Sequence, residues 1–172
     1  MKNIVIRIII SIVVILVISA CAKKEESTTT DPFACTGSSS GSGPTIGDVT
    51  LKEATYKLET YSFSFVNSTS AYIKLGETSV CYTIDATSTS ASIYKTNSAN
   101  TGNATIGGQA YPSYDNVTAY YMKVKRDVDS TTWHMYIYAE TDSSFYINQL
   151  GFDSKAKSDA YPYLRGSAYT KQ

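Results

Sequence analysis

The sequence predicts an all-β domain, built as a small antiparallel β-sandwich with one or two short helices, or alternatively as an up-and-down β-barrel. Three observations predict it. The 172-residue chain holds 15 tyrosines and abundant Ser and Thr but few Leu; Tyr and Thr suit pleated, half-buried surfaces, whereas long amphipathic helices need Leu, Glu and Lys. Short β-type runs recur at a regular spacing between turn residues. Two neighbouring runs alternate strictly. Tyr120, Met122 and Val124 alternate with Tyr121, Lys123 and Lys125, and Trp133, Met135 and Ile137 alternate with His134, Tyr136 and Tyr138, the period of a strand with one buried face.

The N-terminus has a different character. Lys2 and Arg7 give it a basic start, and no charge follows until Lys23. The uncharged run from Ile8 to Ala22 would measure about 22 Å as a helix, too short for a hydrocarbon core of about 30 Å but suited to the apolar region of a signal peptide. Its ending, Ile18-Ser19-Ala20-Cys21, resembles the lipobox of bacterial lipoproteins, with Ile18 in place of the commoner leucine. The resemblance covers residues 1–21 and implies cleavage before Cys21, whose nucleophilic sulfur then takes a diacylglyceryl group. Further acylation of the freed amine, by palmitate or a similar chain, makes the attachment effectively permanent, because one chain alone gives only marginal membrane affinity. Ala22 follows the cysteine where an inner-membrane retention signal would have aspartate. The resemblance therefore implies an outer-membrane lipoprotein, facing the periplasm or the cell surface, whose membrane contact is the lipid on Cys21.

Residues 21–47 read as the lipidated cysteine and a Ser/Thr/Gly-rich tether, typified by Ser38-Ser39-Ser40-Gly41-Ser42-Gly43-Pro44. Such a segment offers too little apolar area to offset its ordering entropy. With Cys21 lipidated, Cys35 and Cys81 remain in an oxidising compartment and are expected to pair. That bridge closes a loop of about 46 residues, worth roughly 4 kcal/mol in the chain-entropy model. It shortens the free tether from a root-mean-square span of about 28 Å to about 21 Å.

Residues 48–172 are expected to form a single domain. Thr50-Leu51-Lys52-Glu53 matches a helix capping box, but an edge strand is preferred there. Strands follow near Tyr61–Val66, Ala71–Leu75, Ser79–Asp85, Ala91–Lys95, Ala119–Arg126 and Thr131–Glu140. Asn67–Ser70 and Asp127–Ser130 are suited to hairpin connections. Asn97–Gln109 reads as an exposed loop in which Ala104-Thr105-Ile106 can pair briefly. Ser144–Leu150, followed by Gly151, reads as a short helix with a glycine cap.

Without Lys2 and Arg7, 13 basic residues face 15 acidic ones, a net charge of −2, and no like-charge block suggests nucleic-acid binding. Catalytic candidates are weak. His134 is the only histidine and lies in no nucleophile signature. Glu140, Asp142, Asp153 and Asp159 cannot be placed at a glycosidase separation from sequence. Asp127-Val128-Asp129 lacks the further ligands of a calcium loop, and the cysteines and histidine lack zinc spacing. No catalytic residue, metal site or cofactor is therefore assigned. The expected binding surface is Tyr120, Tyr121, Tyr136 and Tyr138, because tyrosine offers a flat apolar face and a polar tip at low entropy cost, suited to proteins or carbohydrates. The functional expectation is a non-enzymatic envelope lipoprotein presenting this domain for binding. A carrier of a small apolar ligand inside a barrel and a cell-envelope hydrolase are the alternatives.

Overall fold

In the computed structural model, residues 33–35, 37–96, 103–106, 109–112 and 114–172 are described. The expected signal peptide, Cys21 and the first part of the expected tether lie outside the described residues. The elements run β1 (Ser42–Ile46), β2 (Val49–Lys52), β3 (Thr55–Leu58), β4 (Tyr61–Asn67), β5 (Ser70–Lys74), β6 (Ser79–Thr96), β7 (Asn103–Ile106), β8 (Gln109–Pro112), β9 (Tyr114–Arg126), β10 (Thr132–Thr141), β11 (Ser144–Ile147), α1 (Lys155–Asp159), β12 (Tyr163–Leu164) and β13 (Tyr169–Lys171).

The strands close into the barrel rather than the sandwich. Neighbours pair antiparallel in the order β3, β4, β5, β6, β9, β10, β11, β13, and β13 then pairs with β3, with Thr170 opposite Lys57. This is an eight-stranded meander without a free edge. Local alternation prescribes which face of each strand is buried, but a sandwich and a barrel demand the same alternation. The closing partner, β13, is three residues long at the very end of the chain and carries too little pattern to be recognised.

The inward face follows the predicted alternation. Met122, Val124, Met135 and Ile137 are buried inside, with Tyr120 and Trp133 packed against them. The centre is filled by aromatic rings. Phe145 stacks on Tyr169 with centroids 5.0 Å apart, Phe63 meets both edge-on, and Tyr56 packs on Phe65 and Phe145. Edge-to-face and offset pairs of this kind add to the burial energy of each ring. Hairpin β1–β2 covers one end of the barrel, inserting Ile46 and Leu51 into the same core. Gly47 makes its two-residue turn at φ +59°, and a Cβ there would lie 2.4 Å from the Tyr120 ring. Both the conformation and the close approach require glycine.

Several expectations are corrected by these pairings. The folded part starts before residue 48: β1 lies within the expected tether, and Glu53 fixes the stretch ahead of it by accepting from Ser39 Oγ and the amides of Ser40 and Gly41. Composition missed this because the stretch is ordered by partners beyond it, the Glu53 carboxylate and strand β2, and by the burial of one large side chain, Ile46. Ser144–Leu150 does not form a helix. Phe145 and Ile147 point inward as β11, paired with β10, and Gly151 at φ +86° serves the following turn instead. The single α-helix among the described residues is Lys155–Asp159, capped by Ser154. The preferred strand at Thr50 is present as β2. The runs Ser79–Asp85 and Ala91–Lys95 belong to one strand, β6, whose pairing with β9 is interrupted by a bulge between Ala86 and Ser90. Ala104-Thr105-Ile106 does pair, with β8.

Beyond that bulge, the outer parts of β6 and β9 with β12 form a second layer. Ile93, Ala119 and Leu164 pack with Tyr121 and Tyr136 in a second buried cluster on the outside of the barrel wall. The expected disulfide is present: Cys35 and Cys81 are joined, with Cα atoms 4.9 Å apart. The bridge staples the chain before β1 to the outer face of β5 and β6. There the Cys81 amide donates to the Phe33 carbonyl at 3.1 Å and the Cys35 amide donates to the Tyr72 hydroxyl at 2.9 Å.

Candidate binding sites on the barrel

Strands β9 and β10 hold all four tyrosines of the expected surface, with Tyr121 opposite Tyr136 and Tyr120 opposite Ile137. They do not form one exposed patch. Tyr120 belongs to the inward face and leans against the Gly47 turn. Tyr121 and Tyr136 face outward but are buried, at 8% and 3% exposure, beneath the segment carrying α1 and β12. On the outer face Tyr138 stays partly open, stacked on Tyr146 at 6.1 Å, and Tyr120 on the inward face is likewise only partly buried. Lys95 lies over both rings, 4.5 Å from the Tyr146 centroid and 5.4 Å from the Tyr138 centroid, and is paired with Glu140 at 2.7 Å. Alternation placed the outward tyrosines on one side of the sheet. It carried no signal for the cover that arrives from residues 148–164.

Beneath that cover is a connected polar network. The Tyr136 hydroxyl donates to Asp159 at 2.8 Å, and Lys155 pairs with the same carboxylate while reaching the Tyr136 hydroxyl at 3.2 Å. Tyr121 Oη is hydrogen-bonded to His134 Nδ1. Burial, aided by the nearby Lys123 ammonium, holds His134 below its ordinary pKa. Asn148 anchors the cover: its Oδ1 accepts from the amides of Tyr136 and Gln149, and its Nδ2 donates to the carbonyl and hydroxyl of Ser158. The bonds of these groups run within the network, the pattern of a structural seam. The nominated acids are engaged likewise. Glu140, Asp142, Asp153 and Asp159 each pair with a lysine. In the β9–β10 turn, Asp129 pairs with Arg126 while Asp127 accepts from the Thr83 hydroxyl. No cluster suited to a metal ion occurs among the described residues.

The end of the barrel away from β1–β2 is different. Tyr61, Leu75, Asn148, Gln149, Leu150, Gly151, Tyr161 and Arg165 line an open cleft of about 460 Å³. Arg165 is held there because its amide donates to the Ile147 carbonyl at the end of β11, at 3.0 Å. Its guanidinium lies 5.4 Å from the centroid of Tyr61. Nη1 of Arg165 and the hydroxyl of Tyr169 are both buried, without a well-aligned hydrogen bond, and the guanidinium acts on the neighbouring phenol. Burial pushes the Tyr169 phenol up to about 12, against the pull of the adjacent Arg165, so at neutral pH it is a donor. Sequence reasoning missed this site because Arg165 stands in a weakly patterned tail and meets Tyr61 and Tyr169 only through barrel closure.

No protein-family model matches the chain, and neither the curated proteins nor the solved structures compared with it include a match.

Proposed function

We propose that this protein is a bacterial envelope lipoprotein, anchored through Cys21, whose barrel domain works by binding a ligand at its surface rather than by catalysis. The observation that carries the reading is the filling of the barrel. Five aromatic side chains, Tyr56, Phe63, Phe65, Phe145 and Tyr169, occupy its centre, which argues against carriage of an apolar molecule inside, since that needs a cavity of several hundred Å³. The surface offers what the interior does not: half-exposed aromatic faces and an open cleft lined by Tyr61, Tyr161 and Arg165. The lipobox-like ending at Cys21 supports the anchor. The Cys35–Cys81 staple supports the extracytoplasmic setting and leaves 13 residues between the lipidated position and the barrel wall.

The test is metabolic labelling with palmitate, combined with mass analysis of the N-terminal peptide and protease treatment of intact cells. Wild-type protein is expected to begin at Cys21, carry acyl chains and sediment with membranes, while Cys21→Ser is expected to take up no label and to be released. A mature protein that keeps residues 1–20, or that carries a free thiol at Cys21, would overturn the anchor. The binding half is tested by whether intact domain, but not domain unfolded by reduction and urea, competes with the wild-type protein for sites in isolated envelopes.

A further inference from the structure

We infer that the free edge of β9, Tyr114–Thr118, pairs antiparallel with the same edge of a second copy of this chain, joining their outer layers into one continuous sheet.

Two separate hydrogen bonds fix which way the backbone groups of this edge point. Within the outer layer, the Tyr94 amide donates to the Pro162 carbonyl at 2.9 Å, on the β12 side. Successive residues of a strand bond to opposite sides, so Ile93 and Lys95 are the ones that bond toward β9. Their partners are Val117 and Asp115. Tyr114, Asn116 and Thr118 therefore direct their amides and carbonyls away from β6. The barrel wall gives the same answer. Tyr136 accepts from the Asn148 amide at 3.0 Å on the β11 side, so Ile137 bonds toward β9, where Tyr120 faces it. Thr118, Asn116 and Tyr114 follow Tyr120 at every second residue, but the β9–β10 pairing ends at Tyr120. Among the described residues no strand pairs with this edge beyond that point, and Asn116 and Thr118 are exposed.

Such an edge is a template for another strand, and proteins commonly blunt it with proline, lysine or a bulge. Tyr114–Thr118 holds neither proline nor lysine, and the register shift of the β6–β9 pair lies elsewhere, at Ala86–Ser90. The opposite edge of the layer, β12, is only two residues long. The C-terminal strand of the chain is not free to fill the place, because Tyr169–Lys171 is held between β11 and β3. A second copy fits it about a two-fold axis, and charge and bonding select where that axis falls. An axis at Asp115 sets two carboxylates directly opposite each other, which is destabilising. An axis at Val117 sets Tyr114 opposite Tyr120, whose backbone groups already serve Ile137. An axis at Asn116 engages every free position: Asn116 meets Asn116 of the second copy, Tyr114 meets Thr118, and Asp115 stands opposite Val117. This edge buries less than the roughly 1,200 Å² of a lasting interface, so the association is weak and reversible.

The inference depends on neither the lipid anchor nor the surface-binding reading. The test is sedimentation equilibrium of full-length protein, disulfide intact, in density-matched neutral detergent, with amide hydrogen exchange measured on the same samples. Wild type is expected to dimerise with a Kd of about 10–100 μM. The amides of Asn116 and Thr118 should gain protection as concentration rises, while that of Val117, already bonded to β6, should not. Asn116→Pro removes an amide that has no partner within the chain and is expected to weaken dimerisation by roughly ten-fold or more, with an unchanged circular dichroism spectrum. Asn116→Lys and Asn116→Glu each set like charges opposite one another; each is expected to be monomeric alone and to dimerise when the two are mixed. Wild type that stays monomeric well above that Kd, a dimer unaffected by Asn116→Pro, or charge variants that do not recover on mixing would each overturn the inference. So would protection of Asn116 and Thr118 that does not change with concentration, the sign of a strand supplied by the same chain.

Discussion

The contrast between two buried phenols makes a sharp test of the packing. Tyr56→Phe and Tyr169→Phe delete the same atom from side chains that are both fully buried in one aromatic core, and the structure assigns them opposite signs. Tyr56 loses two bonds of 2.6 Å and 2.8 Å to backbone groups. At about 1 kcal/mol net per bond, the variant is expected to be less stable by about 2 kcal/mol. Tyr169 loses at most a poorly aligned contact with the adjacent Arg165 guanidinium. Removing a polar atom that was desolvated with little compensation is expected to raise stability by about 1 kcal/mol. The variants should thus differ by about 3 kcal/mol, or roughly 10 °C in Tm for a domain of this size. Equilibrium urea unfolding, followed through the single Trp133, reads both values, because that ring packs at 5.0 Å from Tyr82 inside the barrel. The disulfide is kept oxidised throughout. A loss in Tyr169→Phe as large as that in Tyr56→Phe would refute this reading of the two hydroxyls.

The other expectations concern pH, the turn and the staple. Because Tyr169 titrates near 12 when folded and near 10 when unfolded, the fold binds its proton more tightly. Its contribution is complete below pH 10 and falls as pH rises from 10 to 12, by about 2–3 kcal/mol; urea titrations across that range should show the loss in wild type and spare Tyr169→Phe. His134, held neutral by burial, has the converse behaviour: its contribution is present above its ordinary pKa and declines as pH falls below it. Its ring resonances should titrate below the ordinary histidine midpoint and move toward it in Lys123→Gln, and a midpoint above the ordinary value would contradict the burial. Gly47→Ala combines a left-handed backbone with a clash against Tyr120 and should cost about 2 kcal/mol in urea unfolding. Cys35→Ser opens a loop with a sequence separation of 46 and should cost about 4 kcal/mol in the chain-entropy model; a loss under 1 kcal/mol would mean that the segment before β1 is already restrained without the bridge.

Legibility along the chain followed the strength of local pattern. The β9–β10 pair was readable because six inward and six outward positions alternate without a break, and the connection Asp127–Ser130 supplies its own turn chemistry. Cys35 and Cys81 were readable as partners because the lipobox-like reading of Cys21 leaves no other pair among three cysteines. The segment Ser144–Leu150 was misread because four residues of alternation look the same as one turn of an amphipathic helix beside a glycine. β1 was misread because Gly43 and Pro44 score as tether residues wherever they stand, and they are buried here only through the neighbouring β2 strand and the barrel end beneath it.

By itself, then, the order of residues settled the things that depend on near neighbours: strand content, the buried face of each long strand, and the hairpins between adjacent runs. The tertiary structure decided what depends on residues far apart in the chain. Closure of β13 on β3 made a barrel from strands that would serve a sandwich equally well. The cover from residues 148–164 buried Tyr121 and Tyr136, which their strand alone would have left open. The same closure brought Tyr61, Arg165 and Tyr169 together across more than a hundred residues. The physical reason is range: hydrogen-bonded pairing and side-chain alternation repeat every second residue and leave a trace in the sequence. Ring closure and the burial of a lone phenol are properties of the whole set of strands, and no single segment records them.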